Sequence, residues 1–248
     1  MNTIWNAVAG SIFQMRQLDV TANNLANVDT PGFKGDRITF SSYLAQIQRP
    51  EFARERESIN SINERIRTHT DFSPGPLTVT GNQLNFAIDG EGYFTIQTDK
   101  GDQLTRAGDF RLDEQGQLVT DDGHIVAGEG GPIQVQDGMP VDLVIDDTGL
   151  VYQNGEEIGR FLIQKVENPE TLVKVGGKRF AAGRETRIGP METPAIRQGV
   201  IEGSNVNLIR EVTNIVQTTR AFESYQRVIT LDNNLNERAN QVLPSIPS

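Results

Sequence analysis

The sequence predicts an α+β protein: N- and C-terminal α-helices pairing as a coiled coil and bracketing a mainly-β central domain. Three observations predict it. Apolar residues at both chain ends recur in alternating steps of four and three, the period falls to two in short runs between them, and turn residues separate those runs.

At the N-terminus the stepping runs through Ile4, Val8, Ser11, Met15, Leu18, Ala22 and Leu25, three heptads of one amphipathic helix. Gly10 interrupts it at about 1 kcal/mol relative to alanine. Asp29-Thr30-Pro31-Gly32 cannot continue the helix, which places its end near Asn27. Phe33 follows, where an aromatic ring can tuck against the turning backbone.

The segment Glu51–Arg67 alternates charges and spaces Ile59, Ile62 and Ile66 helically, which reads as a short surface helix or a linker with a solvated face. From Phe86 onward the candidate strands are Phe86-Ala-Ile, Tyr93-Phe-Thr-Ile, Phe110-Arg-Leu, Gln117-Leu-Val, Ile133-Gln-Val, Val141-Asp-Leu-Val-Ile, Leu150-Val-Tyr, Phe161-Leu-Ile and Leu172-Val-Lys-Val. Gly90-Glu-Gly, Asp113-Glu-Gln-Gly, Asp121-Asp-Gly, Asp147-Thr-Gly and Asn154-Gly punctuate them in the manner of a β meander or barrel.

Gly203-Ser204-Asn205 offers capping side chains for a second helix. Its seam runs through Leu208, Val212, Ile215, Thr219, Phe222 and Ile229, drifts to Leu235, and is interrupted at Gln226. No proline intervenes before Pro244, so this helix spans about 38 residues. The resulting division is 1–35 for the N-terminal helix and the turn after it, 36–75 for a variable linker, 76–199 for the β domain and 200–248 for the C-terminal helix.

Composition narrows the function. With 33 acidic against 23 basic residues the net charge is −10, which disfavours nucleic acid and anionic membrane as partners. The two helical regions are neutral, so the acidity lies elsewhere in the chain. Their polar faces carry amides, among them Asn23, Asn24 and Asn27, suited to packing against other helices. No cysteine is present and only His69 and His124 supply imidazole, which leaves no thiolate chemistry and little for metal or triad sites. There is no Walker A loop, no complete G-x-G-x-x-G, no EF-hand loop and no G-x-S-x-G. We therefore expect no catalytic residues, cofactor, metal or small-molecule substrate, no membrane insertion and no cleaved signal peptide. A carboxylate-based cell-wall hydrolase stands as the rival from another class.

Thr21-Ala-Asn-Asn-Leu-Ala-Asn-Val-Asp-Thr-Pro-Gly-Phe-Lys34 closely resembles the N-terminal motif of the flagellar basal-body rod and hook family. The run from Glu202-Gly-Ser-Asn-Val206 through Glu211, Ile215 and Arg220-Ala-Phe-Glu223 is similar to that family's C-terminal motif. Ala87-Ile-Asp-Gly-Glu-Gly-Tyr-Phe94 resembles the entry to its central β domain, and Leu104-Thr-Arg-Ala-Gly-Asp-Phe110 is similar to a strand of that family. The resemblance spans essentially the whole chain. It implies a non-enzymatic axial subunit of the basal-body rod that crosses the periplasm. Such a subunit is exported through the flagellar export apparatus and assembles with other rod subunits, itself among the candidates. The ending Glu237–Leu243 and the short span between Phe40 and Asp89 resemble the proximal-rod type, with the distal-rod type next. The implied interfaces comprise Ile4, Val8, Met15, Leu18, Ala22, Asn23, Asn24, Leu25, Asn27, Pro31, Gly32 and Phe33 at one end. At the other they comprise Asn205, Leu208, Val212, Ile215, Thr219, Phe222, Ile229 and Leu235.

Overall fold

A computed structural model describes residues 2–40, 66–136, 143–146 and 148–242. Two helices bracket a mainly-β region: α1, Asn2–Ala26, and α2, Leu208–Val242. Both fall within one or two residues of where the proline and glycine stops predict their ends. The chain divides into two compact units. One holds Met1–Leu25, Asp36–His69 and Asn207–Ser248; the other holds Ala26–Gly35 and Thr70–Val206. The boundaries of this division differ from those of the four-part scheme read from the sequence: residues 26–35 group with the strands and residues 36–69 with the helices.

In the first unit the strand Asp36–Phe40 pairs with Ile66–Thr70. Ile66 and Arg67 are therefore extended, and the rest of the charged segment beginning at Glu51 lies outside the described residues. The cap of α2 is Asn207, whose Oδ1 accepts from the Arg210 amide at 3.0 Å. The expected caps do other work: Ser204 accepts from the Val206 amide, and Asn205 holds the backbone of the second unit, described below.

The second unit is built from antiparallel strands: a ten-stranded sheet, a three-stranded sheet and two ribbons. Tyr93–Thr98 is central to the large sheet, pairing with Gly101–Thr105, Ile125–Gly128 and Ile163–Val166. Its period of two sends Phe94 and Ile96 into the main core and Tyr93 into a second cluster with Leu104, Leu172 and Phe180. Phe86, Phe94, Phe110 and Phe161 form the centre of the main core, with ring centroids 5.1 to 6.2 Å apart in tilted or edge contacts.

The strands absent from the sequence reading, such as Gly101–Thr105, Glu156–Arg160 and Arg179–Ala181, carry charged or glycine residues where alternation calls for apolar ones. Ile133 and Val135 are buried, yet among the described residues the ladder contact at Ile133–Val135 is a single bridge from Gln134 to Gln117. The acidic turns are hairpins. Asp113 Oδ1 accepts from the amides of Gln115 and Gln117 at 2.9 and 2.7 Å, the side-chain turn contact that favours Asp there.

Candidate functional site

The β unit gathers segments from both ends of the chain at one junction. Val200–Glu202 pairs with Leu77–Val79, and the Glu202 carbonyl accepts from the Gly32 amide at 2.7 Å. Gly32 has φ 67°, and a Cβ there would lie 2.2 Å from the Ala107 amide nitrogen, so the position excludes every side chain twice over. The turn it makes carries Phe33 and Lys34 inward, where both are essentially inaccessible to water.

Lys34 Nζ lies 2.6 Å from Glu202 Oε1 and donates also to the Ser73 carbonyl. The same oxygen of Glu202 accepts from the Gly75 amide at 2.9 Å, and Oε2 is 3.4 Å from Arg106 Nη1. Arg106 donates in addition to the carbonyls of Gly90 and Ile88 and covers the ring of Tyr93. One buried carboxylate thus holds two cations and a backbone amide. Removing one member of such a group leaves an uncompensated buried charge, so each member depends on the others. Burial pushes the Lys34 ammonium below the usual lysine range, opposed by the attraction of Glu202. Burial likewise raises the Tyr93 phenol, opposed by Arg106.

Amide side chains complete the junction. Asn205 Oδ1 accepts from the Gly35 amide, and its Nδ2 donates to the carbonyls of Asp71 and Ser73, so one side chain stands in for a missing strand. Lys174 closes the other side, donating to the Lys34 carbonyl while its ammonium sits 4.0 Å from the centre of the Phe33 ring. In the helical unit Asn24 does the same for Asp36, accepting from its amide and donating to its carbonyl. Asn27 accepts from Thr30 in the turn after α1.

The helices meet where their apolar stepping fails. A Cβ on Gly10 would fall 2.5 Å from the Tyr225 ring, and Gln226 Nε2 donates to the Ser11 hydroxyl at 3.2 Å. Gly10 and Gln226, the two interruptions of the seams, are therefore contact points. The face of α1 that is buried carries Ala7, Ser11, Thr21 and Asn24; on α2 it carries Thr218, flanked by half-buried Ile215, Thr219, Phe222, Tyr225 and Ile229. Gly10 leaves room for the Tyr225 ring, and much of the apolar stripe of both helices is exposed.

The interface residues read from the sequence are accordingly divided. Val8, Leu18 and Leu25 are half-buried on α1, as are Ile215, Thr219, Phe222 and Ile229 on α2. Met15, Ala22 and Asn23 are exposed, as are Leu208, Val212 and Leu235. Ile4 lies in α1, with its side chain outside the described residues. Pro31, Gly32, Phe33 and Asn205 belong to the junction, and so do Lys34, Ser73, Arg106, Lys174 and Glu202. Of these last five the motifs contained Lys34, Arg106 and Glu202, but nothing in their spacing showed that they would meet.

A β unit closed around its own core, carried with helices whose apolar side chains remain outside, defines the class of a structural subunit. Comparison with known proteins gives the family. Residues 6–34 match the family described as flagella basal body rod protein, residues 87–153 the flagellar hook protein FlgE/F/G D1 domain, and residues 197–242 the flagellar basal body rod FlgEFG protein C-terminal family. The chain is 32% identical to the flagellar basal-body rod protein FlgG of Bacillus subtilis, over 97% of this chain and 98% of that protein. It is 31% identical to the flagellar basal-body rod protein FlgF of Salmonella typhimurium over 98% of each, and 28% identical to that of Caulobacter vibrioides over 99% of each. The chain belongs to the flagellar basal-body rod protein family. Lys34 and Glu202, the buried pair, come from the first and last of the three matched segments.

Proposed function

We propose that the chain is a structural subunit of the flagellar basal-body rod, of the proximal-rod type, reached through the flagellar export apparatus without signal cleavage. It assembles with other axial subunits through its terminal helices. In the assembled state α1 and α2 pair as a coiled coil with one another and with neighbouring helices, and the acidic β unit forms an outer layer. The N-terminal interface then comprises the exposed and half-buried residues of α1 named above, and the C-terminal interface those of α2. The short span between Phe40 and Asp89 and the ending Glu237–Leu243 support the proximal type. Membership in a structural family leaves the cell-wall hydrolase reading without support.

One observation carries the assembly reading. Met15, Leu208, Ile209, Val212, Val216, Leu231 and Leu235 are each between about two-fifths and four-fifths exposed on helices that are neutral overall. A helix with such an exposed apolar stripe is penalised by water until another apolar surface covers it. Sedimentation of the full chain beside a Val212→Asp, Leu231→Asp variant tests this. The unaltered chain is expected to associate as concentration rises while the variant stays monomeric. Equal behaviour of the two means that the stripes do not carry assembly.

A further inference from the structure

Several strands of the β unit end the sheets they belong to, and their free edges carry guards. Pro190 ends Ile188–Pro190, Pro132 ends Gly131–Pro132, and Glu156, Glu157 and Arg160 line Glu156–Arg160. On Leu143–Ile145 the guard is a side chain: Gln198 donates to the Leu143 carbonyl and accepts from the Ile145 amide. The edge of Leu77–Val79 has none of these. It pairs on one side with Val200–Glu202, and no strand among the described residues pairs with it on the other.

Register fixes which groups face the open side. The Thr80 amide donates to the Gly199 carbonyl and the Gly203 amide to the Pro76 carbonyl, both at 2.8 Å, so positions 76, 78 and 80 turn their backbone toward Val200–Glu202. The amides and carbonyls of Leu77 and Val79 therefore face outward, and Pro76, with its backbone on the inner side, does not block them. Both side chains are open to water, Val79 to 80% and Leu77 to 38%. Behind them Val200 and Glu202 are buried, Glu202 in the ion junction, so the edge is held in strand form before anything binds. Residues 72–88 also contain no acidic or basic side chain, the longest such run in a chain of net charge −10.

We propose that the Leu77–Val79 edge is a strand-addition site, filled by an extended segment of a second copy of this chain once the terminal helices have gathered subunits together; the inference rests on the assembly reading above. Main-chain hydrogen bonds to Leu77 and Val79 supply the pairing, and their two side chains, on one face of the strand, supply apolar contact. Charge selects the partner. An oppositely charged protein gains most on the acidic surfaces of the β unit, whereas another copy is repelled there and meets this uncharged strip without that cost. Two residues of open edge offer few bonds and little area, so the contact follows association through the helices and does not cause it.

Hydrogen exchange of the purified full chain, dilute and associated, tests the site. In the dilute chain the Thr78 amide, opposite Ile201, is expected to be protected and those of Leu77 and Val79 to exchange freely. On association both outward amides are expected to slow by about tenfold, the scale of a hydrogen bond made. Val79→Pro removes one outward donor and none from the inner ladder. Its concentration for half association in sedimentation should rise by about fivefold, with the thermal transition of the β unit unchanged. If that variant does not fold, exchange in the native chain decides. Association with Leu77 and Val79 still exchanging freely, protection of both already in the dilute chain, or a folded Val79→Pro variant that associates as the native chain does would each overturn the site and leave the helix reading standing. A native chain that stays monomeric at every concentration overturns both.

Discussion

The two units of this molecule solve opposite problems. Among the described residues the β unit buries six phenylalanine rings and an ion cluster, and its exposed large apolar side chains are scattered over separate strands and loops. The helical unit buries alanine, serine, threonine and asparagine and turns methionine, leucine and valine outward. A unit that must be stable alone hides its apolar surface within the chain. Under the assembly proposed above, the helical unit keeps that surface for neighbouring subunits. The contrast also explains why the amides on α1 are not simply intermolecular contacts. Asn24 is engaged with Asp36 in its own chain, and Asn27 with Thr30.

The comparison breaks most visibly by moving the boundary between the units. A chain trimmed to residues 26–206 retains Phe33, Lys34, Glu202 and Asn205, and is expected to unfold cooperatively in calorimetry. Trimming to 36–200 removes all four and should abolish the transition, because Arg106 then lies buried without its carboxylate. Next in size, Glu202→Ala leaves Lys34 and Arg106 unpaired and should destabilise the β unit by about 3–5 kcal/mol in denaturant titration. Loss of less than about 1 kcal/mol would show that water reaches the junction.

The helical unit responds in a different currency. Gly10→Leu fills the space occupied by the Tyr225 ring, so exchange protection around residues 10 and 225 should collapse. The β unit's transition should shift by no more than about 0.5 kcal/mol, as for a change outside its contacts. The smallest effect concerns the turn before Leu150–Gln153. The Thr148 hydroxyl holds the Asp146 carboxyl below its usual range; burial opposes this, and the amides of Leu150 and Thr148 add to the lowering. Its depressed value means that the contribution is present above the ordinary carboxylate range and lost as pH falls through the depressed one. Acid melts of Asp146→Asn should lack that last loss, while the native chain shows it.

Much of this was legible in the residues. The helix stop at Pro31-Gly32, the hairpin at Asn154-Gly155 and the alternation in Tyr93–Thr98 each arise from local constraints that one stretch of chain imposes on itself. Strands such as Glu156–Arg160 were not legible, because their partners supply the pairing that their composition does not suggest. The interruptions of the seams misled in the same way. Gly10 and Gln226 look like defects until the opposite helix is in place, since a glycine's value for close approach exists only relative to what approaches.

By itself, then, the sequence determined the two helices, the β character between them, the absence of cysteine chemistry and the family to which the motifs point. Periodicity, backbone restriction and composition are properties of neighbouring residues and survive without a fold. Only the tertiary structure decided that Lys34, Arg106 and Glu202 share one site, that residues 26–35 fold with the strands, and which faces of α1 and α2 meet. Those outcomes join positions 72 to 215 residues apart in some cases and depend on burial and desolvation, which no local window of sequence contains.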